Sequence, residues 1–125
     1  MILLLDAHVL LWSLSDVERL DSNAVRAIQD PMNDVLVSTA SIWELEIKRA
    51  NGKLRFESDL ILDAARAGID VIPISAVDAV AAARLPAHHR DPFDRMLVAQ
   101  AARLDAVIVS RDRSFASYDA HILTA

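Results

Sequence analysis

The chain begins, after its first methionine, with Ile2-Leu3-Leu4-Leu5-Asp6, a continuous apolar run that ends on a carboxylate. A short apolar run without polar alternation is typical of a strand buried on both faces, as in a parallel sheet. The carboxylate that follows would then emerge at the carboxyl end of a central strand. Its alternative role is the N-cap of the next helix, which aspartate performs well.

The rest of the chain alternates short apolar runs with helical segments. We predict further strands at 35–37, 71–74, 106–109 and 120–123. Helices are predicted at 7–14, 22–29, 39–51, 58–67, 76–84 and 92–104, with a helical turn at 113–118. This order requires right-handed crossovers, and it predicts an α/β fold in which a central, mostly parallel sheet lies between two layers of helices. Ligands of such folds bind at the carboxyl ends of the strands.

Composition indicates one compact domain over residues 1–125. Of the 125 residues 54% are hydrophobic, and only two are glycine and four proline, which leaves little room for linkers. The absence of cysteine excludes disulfides and thiolate metal sites. No stretch approaches the roughly 20 apolar residues of a membrane span, and the first residues do not resemble a signal peptide. We therefore expect a soluble, cytoplasmic protein with no membrane partner.

The net charge of −5 is unusual for a protein that contacts nucleic acid, which normally carries a basic face. It argues against a tight, general nucleic-acid binder. It argues less against a metal-dependent nuclease, because bound cations offset the charge of an acidic site. Arginines outnumber lysines by eleven to two, and arginine can hold a phosphate through two donors at once.

Five acidic residues are candidates for a site, and each has a structural alternative. Besides Asp6, they are Glu44, Asp91, Asp94 and Asp112. Glu44 can form an i, i+4 ion pair with Lys48. Asp91 and Asp112 are suited to helix N-caps, and Asp94 falls where the dipole of the helix that begins at Pro92 favours an anion.

Taken together, the acids are harder to explain by capping alone. Asp6 and Asp112 follow two predicted strands, while Glu44 and Asp94 lie in helices that begin at the same edge of the sheet. Carboxylates that converge repel one another unless a cation neutralises them. Magnesium fits such a site because it prefers oxygen ligands and needs few carboxylates. One or two ions could then activate water for phosphodiester hydrolysis.

In its motifs the chain closely resembles the PIN-domain family, specifically the VapC-type toxins. The matching segments lie at residues 3–12, 38–48, 89–101 and 109–115, and they cover essentially the whole chain. The most specific one is Arg-Asp-Pro-Phe-Asp-Arg-Met-Leu-Val-Ala-Gln-Ala at 90–101.

This resemblance implies a PIN-like fold and a metal-dependent endoribonuclease that binds Mg²⁺ or Mn²⁺. The family's acidic set maps onto Asp6, Glu44, Asp94 and Asp112, with Asp91 as an additional acid near the metal. It also implies an RNA substrate such as transfer or ribosomal RNA, a homodimer, and a toxin role in a type II toxin–antitoxin module silenced by a VapB-like antitoxin. Asp6 and Asp94 would contact the metal first, and Ser110 would hydrogen-bond a ligand carboxylate.

Other polar and aromatic residues are weaker candidates. Four arginines flank the site and are possible contacts for RNA phosphates, with solvated surface arginine as the alternative: Arg90, Arg95, Arg111 and Arg113. The histidines lack the spacing of a zinc site; His8 is expected on a helix surface, His88 and His89 in a loop, and His121 in the last strand. We interpret Trp12 and Trp43 as core or interface anchors rather than base-stacking platforms, and exposed apolar area near Trp12 would suit an antitoxin helix.

Three other functions remain open from the residues. A phosphoacceptor receiver domain would need an acid beside Asp6 and a lysine after a late strand, but both lysines lie at 48 and 53. A non-catalytic α/β interaction module would use the acids only as caps and bind no divalent metal. A magnesium-dependent phosphatase would hydrolyse small phosphate esters rather than RNA.

Overall fold

The computed structural model describes residues 1–88 and 90–125. His89, which was predicted to lie in a loop, is outside these residues. The strands are β1 (Ile2–Leu5), β2 (Asp34–Ser38), β3 (Asp70–Ile72), β4 (Val107–Ser110) and β5 (Ile122–Thr124). The helices are α1 (Ala7–Ser15), α2 (Ser22–Gln29), α3 (Thr39–Ala50), α4 (Leu60–Arg66), α5 (Ala76–Arg84) and α6 (Pro92–Leu104), with 3-10 helices at Val17–Arg19 and Arg113–Tyr118.

The sheet is parallel throughout its five strands, which are ordered β3-β2-β1-β4-β5. The Leu-rich strand β1 lies at the centre, with β2 and β4 as neighbours, and Leu3, Leu4 and Leu5 are fully buried. The predicted α/β architecture is thus confirmed. Strand order reverses at β1, so that the carboxyl ends of β1, β2 and β4 meet at one edge.

Side-chain alternation along β1 divides the core between the two faces of the sheet. Leu3 and Leu5 belong to a cluster with residues of α1, α2, α3 and α4. Leu4 belongs to a second cluster, formed with α6 and with Phe115 of the second 3-10 helix. Helices therefore cover both faces, as predicted.

Several element boundaries differ from the predicted ones by a few residues. Asp21, and not Ser22, is the N-cap of α2, because its carboxylate accepts the N–H of Asn23. The helix predicted at 58–67 begins later, at Leu60, because Asp59 caps it. Strand β3 ends before Pro73, which has no N–H to donate to a neighbouring strand.

A buried polar network that the sequence did not reveal joins α5 to α6. Asp78 is 1% exposed and accepts hydrogen bonds from Arg103 Nε at 2.5 Å and from Gln100 Nε2 at 3.2 Å. It also forms a capping box with Ser75 at the start of α5. The hydrogen bonds from Arg103 hold the pKa of Asp78 well below its usual range. This network fixes α5 against the helix that carries Asp94.

Among the described residues, no helix has both the length and the apolar composition needed to cross a membrane.

Candidate functional site

Asp6 lies at the carboxyl end of β1 and performs two tasks at once. One carboxylate oxygen caps α1 by accepting the N–H of Val9 at 2.8 Å. The other accepts a short hydrogen bond from the hydroxyl of Ser110. Burial raises the pKa of Asp6, while the hydrogen bonds from Ser110 and Val9 lower it. The capping role expected from the sequence is therefore present, and it uses only one of the two oxygens.

Ser110 links two of the candidate acids across the β1–β4 pair. It ends β4, is 1% exposed, and its oxygen accepts the N–H of Asp112 at 3.0 Å while its hydroxyl donates to Asp6. The predicted hydrogen bond from Ser110 to a candidate carboxylate is therefore present. Asp112 itself is exposed and caps the second 3-10 helix through the N–H of Ser114 at 2.9 Å.

Glu44 lies in α3, which starts directly after β2 at the same edge of the sheet. Its carboxylate accepts a hydrogen bond from Lys48 Nζ at 3.0 Å. The ion pair is the predicted one, but the Glu44 side chain is only 14% exposed, so it is not the exposed surface pair that the spacing suggested. The neighbouring Glu46 instead pairs with Arg49 and is 42% exposed.

Asp91 and Asp94 occupy the start of α6. Asp91 is the N-cap and accepts the N–H of Phe93 at 2.8 Å, with Pro92 in the first helical position. Asp94 follows in the first turn. Burial raises its pKa to about 7, and negative charges add to the effect, in decreasing order those of Asp91, Glu44, Asp112 and Asp6.

The five acids lie close enough for the charges of four of them to act on the fifth, Asp94. They come from four separate parts of the chain: the ends of β1 and β4, the second turn of α3 and the first turn of α6. At this edge the positive ends of α3 and α6 partly offset the repulsion. A divalent cation would offset it further.

The donor set fits magnesium or manganese, since these ions prefer carboxylate oxygens. Over residues 1–88 and 90–125, no group of three or more His, Asp or Glu side chains is already arranged to hold an ion. Binding would thus require some of the carboxylates to turn toward the cation. Burial raises the pKa values of Asp94 and Asp6, so a bound cation would stabilise the ionised form of these two groups most.

Two of the four flanking arginines donate hydrogen bonds to backbone carbonyls of the protein itself, so the alternative of a purely solvated surface arginine does not describe them. Arg95 closes the carboxyl end of α5, donating to the carbonyl oxygens of Ala82 at 3.0 Å and Leu85 at 2.8 Å. Arg111 donates to the carbonyl of Ala125 at 3.0 Å and lies 4.5 Å over the ring of Trp12. The other two, Arg90 and Arg113, are exposed.

The two tryptophans have different environments. Trp12 is half-buried and packs against the core, consistent with its predicted role. Trp43 is 60% exposed, so it is not a core anchor, and the interface anchor stays the prediction for this residue. Its ring meets that of Phe93 edge-on, at 5.5 Å between centroids and an interplanar angle of 74°.

Among the described histidines, His8 acts on a site acid: burial raises the pKa of Asp6, and the charge of His8 is among the causes that lower it. His8 is exposed on α1, as predicted, with its ring 5.7 Å from that of Trp12. His88 is exposed in the loop and lies against Tyr118. His121 was predicted within the last strand but directly precedes it, since β5 begins at Ile122.

Comparison with known proteins identifies the fold. The family model described as "PIN domain" matches residues 3–121. No curated protein matches the sequence significantly.

Solved structures with similar folds include bacterial VapBC complexes. A chain of VapBC2 from Rickettsia felis, bound to a DNA fragment from their promoter, has a TM-score of 0.72 at 12% identity, over 99% of this chain and 98% of that one. VapBC from Salmonella typhimurium, bound to DNA, gives 0.68 at 14% identity, and VapBC-1 from nontypeable Haemophilus influenzae gives 0.67 at 14% identity. Both cover 99% of this chain and 98% of the other. At these identities the similarity demonstrates a shared fold.

Proposed function

The chain belongs to the PIN-domain family, and we propose that it is a metal-dependent endoribonuclease, with one PIN domain over residues 1–125, that acts as the toxin of a toxin–antitoxin module. PIN domains are generally nucleases, and these nucleases generally use divalent metal ions. The substrate RNA, the choice of Mg²⁺ or Mn²⁺ and the roles of individual residues are part of the proposal.

The observation that carries the proposal is the effect of four other carboxylates on Asp94. Capping accounts for Asp6, Asp91 and Asp112 one at a time. It gives no reason for their charges to converge on a further, half-buried acid whose pKa rises to about 7. Such convergence is costly without a cation, and raised pKa values at a shared edge are typical of functional sites.

The surroundings of each acid suggest its role in the proposed site. We assign Asp6 and Asp94 to metal binding, with Glu44 and Asp112 completing the ligand set or orienting the attacking water, and Asp91 adding charge while it caps α6. Ser110 fixes the carboxylate of Asp6, and Lys48 restrains Glu44. The bound ion would lower the pKa of water and stabilise the leaving oxygen.

Solved complexes with this fold support the proposed partner. Because those similar structures are VapBC complexes, we infer that a VapB-like antitoxin binds this chain. The homodimer enters the proposal only through the resemblance of the motifs to those of VapC-type toxins. A nuclease that acts on transfer or ribosomal RNA would work in the cytoplasm.

The test is cleavage of a mixed small-RNA pool by antitoxin-free protein in Mg²⁺, in Mn²⁺ and in EDTA. We expect cuts that require the metal and are lost in a folded Asp94→Asn variant, while Glu57→Gln, which neutralises an exposed acid elsewhere, retains them. Cleavage that persists in EDTA, or in Asp94→Asn, would exclude this mechanism.

The alternative with some structural support is the interaction module, because three of the acids do cap helices. It predicts that divalent ions leave the thermal stability unchanged and that no RNA is cut. Hydrolysis of a small phosphate ester without cleavage of RNA would instead indicate the phosphatase.

A further inference from the structure

A pair of aromatic rings lies directly beside the acidic cluster. Trp43 precedes Glu44 on α3, and Phe93 precedes Asp94 on α6. The edge-to-face contact between the two rings, 5.5 Å between centroids, joins the two helices that carry these acids. The ring pair and the two acids thus belong to the same two helices.

Packing does not explain the tryptophan. The residues of α3 that are buried against the rest of the protein are Ala40, Ser41 and Leu45, whereas Trp43 leaves 60% of its surface exposed. The contact with Phe93 restrains the ring without covering it. Aromatic side chains with few rotatable bonds provide large contact areas at low entropic cost.

The position of Trp43 on α3 suits contact with a base rather than with a phosphate. Successive helix residues are about 100° apart around the axis, so Trp43 projects beside Glu44 and not over it. A phosphodiester at the acids would place an adjacent base within reach of the neighbouring ring. Every base has a face that stacks on an aromatic side chain, and this contact is tolerant of sequence.

Charge indicates why such a contact is needed. The chain has a net charge of −5, and Arg95 and Arg111 near the site bind backbone carbonyls of the protein itself. Phosphate contacts alone would thus provide limited affinity. Base stacking supplies affinity that does not depend on positive charge.

We propose that Trp43, held by Phe93, is a platform on which a base next to the cleaved phosphodiester stacks. This inference rests on the proposed ribonuclease function and adds to it a residue that binds the substrate.

The test uses the fluorescence of Trp43 in a Trp12→Phe background, titrated with a ten-nucleotide oligoadenylate in Mg²⁺, with RNA integrity checked after each titration. We expect quenching on binding, and about ten-fold or greater loss of affinity in Trp43→Ala, measured by anisotropy of labelled RNA. Trp43→Phe should retain most of the affinity, and Ile61→Ala, which removes an exposed apolar side chain from α4, should retain all of it. An abasic strand of equal length should bind the parent and Trp43→Ala equally weakly.

Raising salt from 50 to 200 mM should weaken binding of oligoadenylate by less than about ten-fold, because stacking does not depend on charge. A protein with about 6–10 phosphate contacts would lose about 10³–10⁵-fold in affinity over the same range. Unchanged affinity in Trp43→Ala, or tight binding of the abasic strand, would overturn the proposal. So would a Trp43→Ala variant that loses binding together with a change of oligomeric state in sedimentation, since Trp43 would then belong to a protein interface. Quenching by oligoadenylate without any RNA cleavage would contradict the nuclease function while leaving the stacking contact in place.

Discussion

Four other acids of the site repel the carboxylate of Asp94. The protonation of Asp94 therefore links the site to the stability of the fold. Its pKa is about 7 in the folded protein, against an unperturbed value of 3.8. The folded state therefore binds this proton more tightly than the unfolded chain does. The cost of ionising Asp94 is absent below about pH 4, grows between these two values and is complete above pH 7.

We accordingly expect Asp94→Asn to stabilise the metal-free protein at pH 8 by about 1–3 kcal/mol and to have little effect at pH 4. Thermal unfolding in EDTA at the two pH values measures this difference. The control Glu57→Gln changes an exposed acid outside the site and should leave the melting temperature unchanged. A destabilised Asp94→Asn at pH 8, where the carboxylate is ionised, would show that this charge serves folding and not ligand binding.

Addition of Mg²⁺ should reverse the order of stability at pH 8. The ion removes the repulsion in the parent protein, so its melting temperature should rise with Mg²⁺ concentration. Asp94→Asn lacks one ligand and should show a much smaller rise. Equal shifts in both proteins would indicate that the metal binds elsewhere.

Single residues also show what the sequence could and could not reveal. The strand-end position of Asp6 and the first-turn position of Asp94 follow from local patterns, so both were predictable. The exposure of Trp43 was not, because a large aromatic residue in a predicted helix was expected to be a core or interface anchor. In the structure the small residues Ala40 and Ser41 are buried instead. A prediction based on the spacing of large apolar residues does not identify such small residues as part of the buried side.

At the level of helices, Arg95 determines how α5 and α6 meet. Its guanidinium donates to the carbonyl oxygens of Ala82 and Leu85 at the end of α5, where the regular i, i+4 hydrogen bonds of the helix stop. Arg95→Lys keeps the charge but cannot bridge several carbonyls with one planar fork. We expect a loss of about 1–2 kcal/mol in the free energy of unfolding, measured in urea, whereas Arg113→Lys at an exposed position should lose nothing.

The same variant separates the two interpretations of Arg95. Affinity of folded Arg95→Lys for oligoadenylate should remain within about two-fold of the parent value, because the side chain is committed to the end of α5. Unaltered stability combined with a large loss of RNA affinity would restore the phosphate contact considered from the sequence.

Asp78 provides the second connection between these helices. Its carboxylate accepts hydrogen bonds from Arg103 and Gln100 and caps α5. Asp78→Ala removes all of these contacts and leaves buried donors unpaired, so we expect a loss of about 2–4 kcal/mol. Asp78→Asn preserves the shape and should lose less. Amide hydrogen exchange in α5 should accelerate in the alanine variant, and protection equal to that of the parent would contradict this role.

This connection was hidden from sequence analysis because its members lie far apart in the chain. Asp78 and Arg103 are separated by 25 residues, and each looks like an ordinary surface charge on an amphipathic helix. Only the packing of α5 on α6 brings them together. The existence of the two helices, by contrast, depends on local apolar periodicity and caps and was predicted to within a residue or two.

Over the whole molecule, the alternation of apolar strands and helices was sufficient to predict a parallel α/β sheet with helices on both faces. The order of the strands was not predictable, because β1, β2 and β4 are all short apolar runs that could pair in several ways. That order nevertheless determines the site, since it places the end of β1 between those of β2 and β4. The meeting of the acids at one edge was expected from the sequence, whereas the strand order that makes their strands neighbours is given only by the complete fold.

The central claim is that the carboxylates at this edge together form a single site for divalent metal. Its most direct test is the position of manganese, located by anomalous scattering in crystals of the antitoxin-free protein soaked in Mn²⁺. The account predicts a peak at coordination distance from oxygens of Asp6 and Asp94, which disappears in Asp94→Asn crystals. A peak bound only by other acids, or none at a saturating concentration of Mn²⁺, would contradict it.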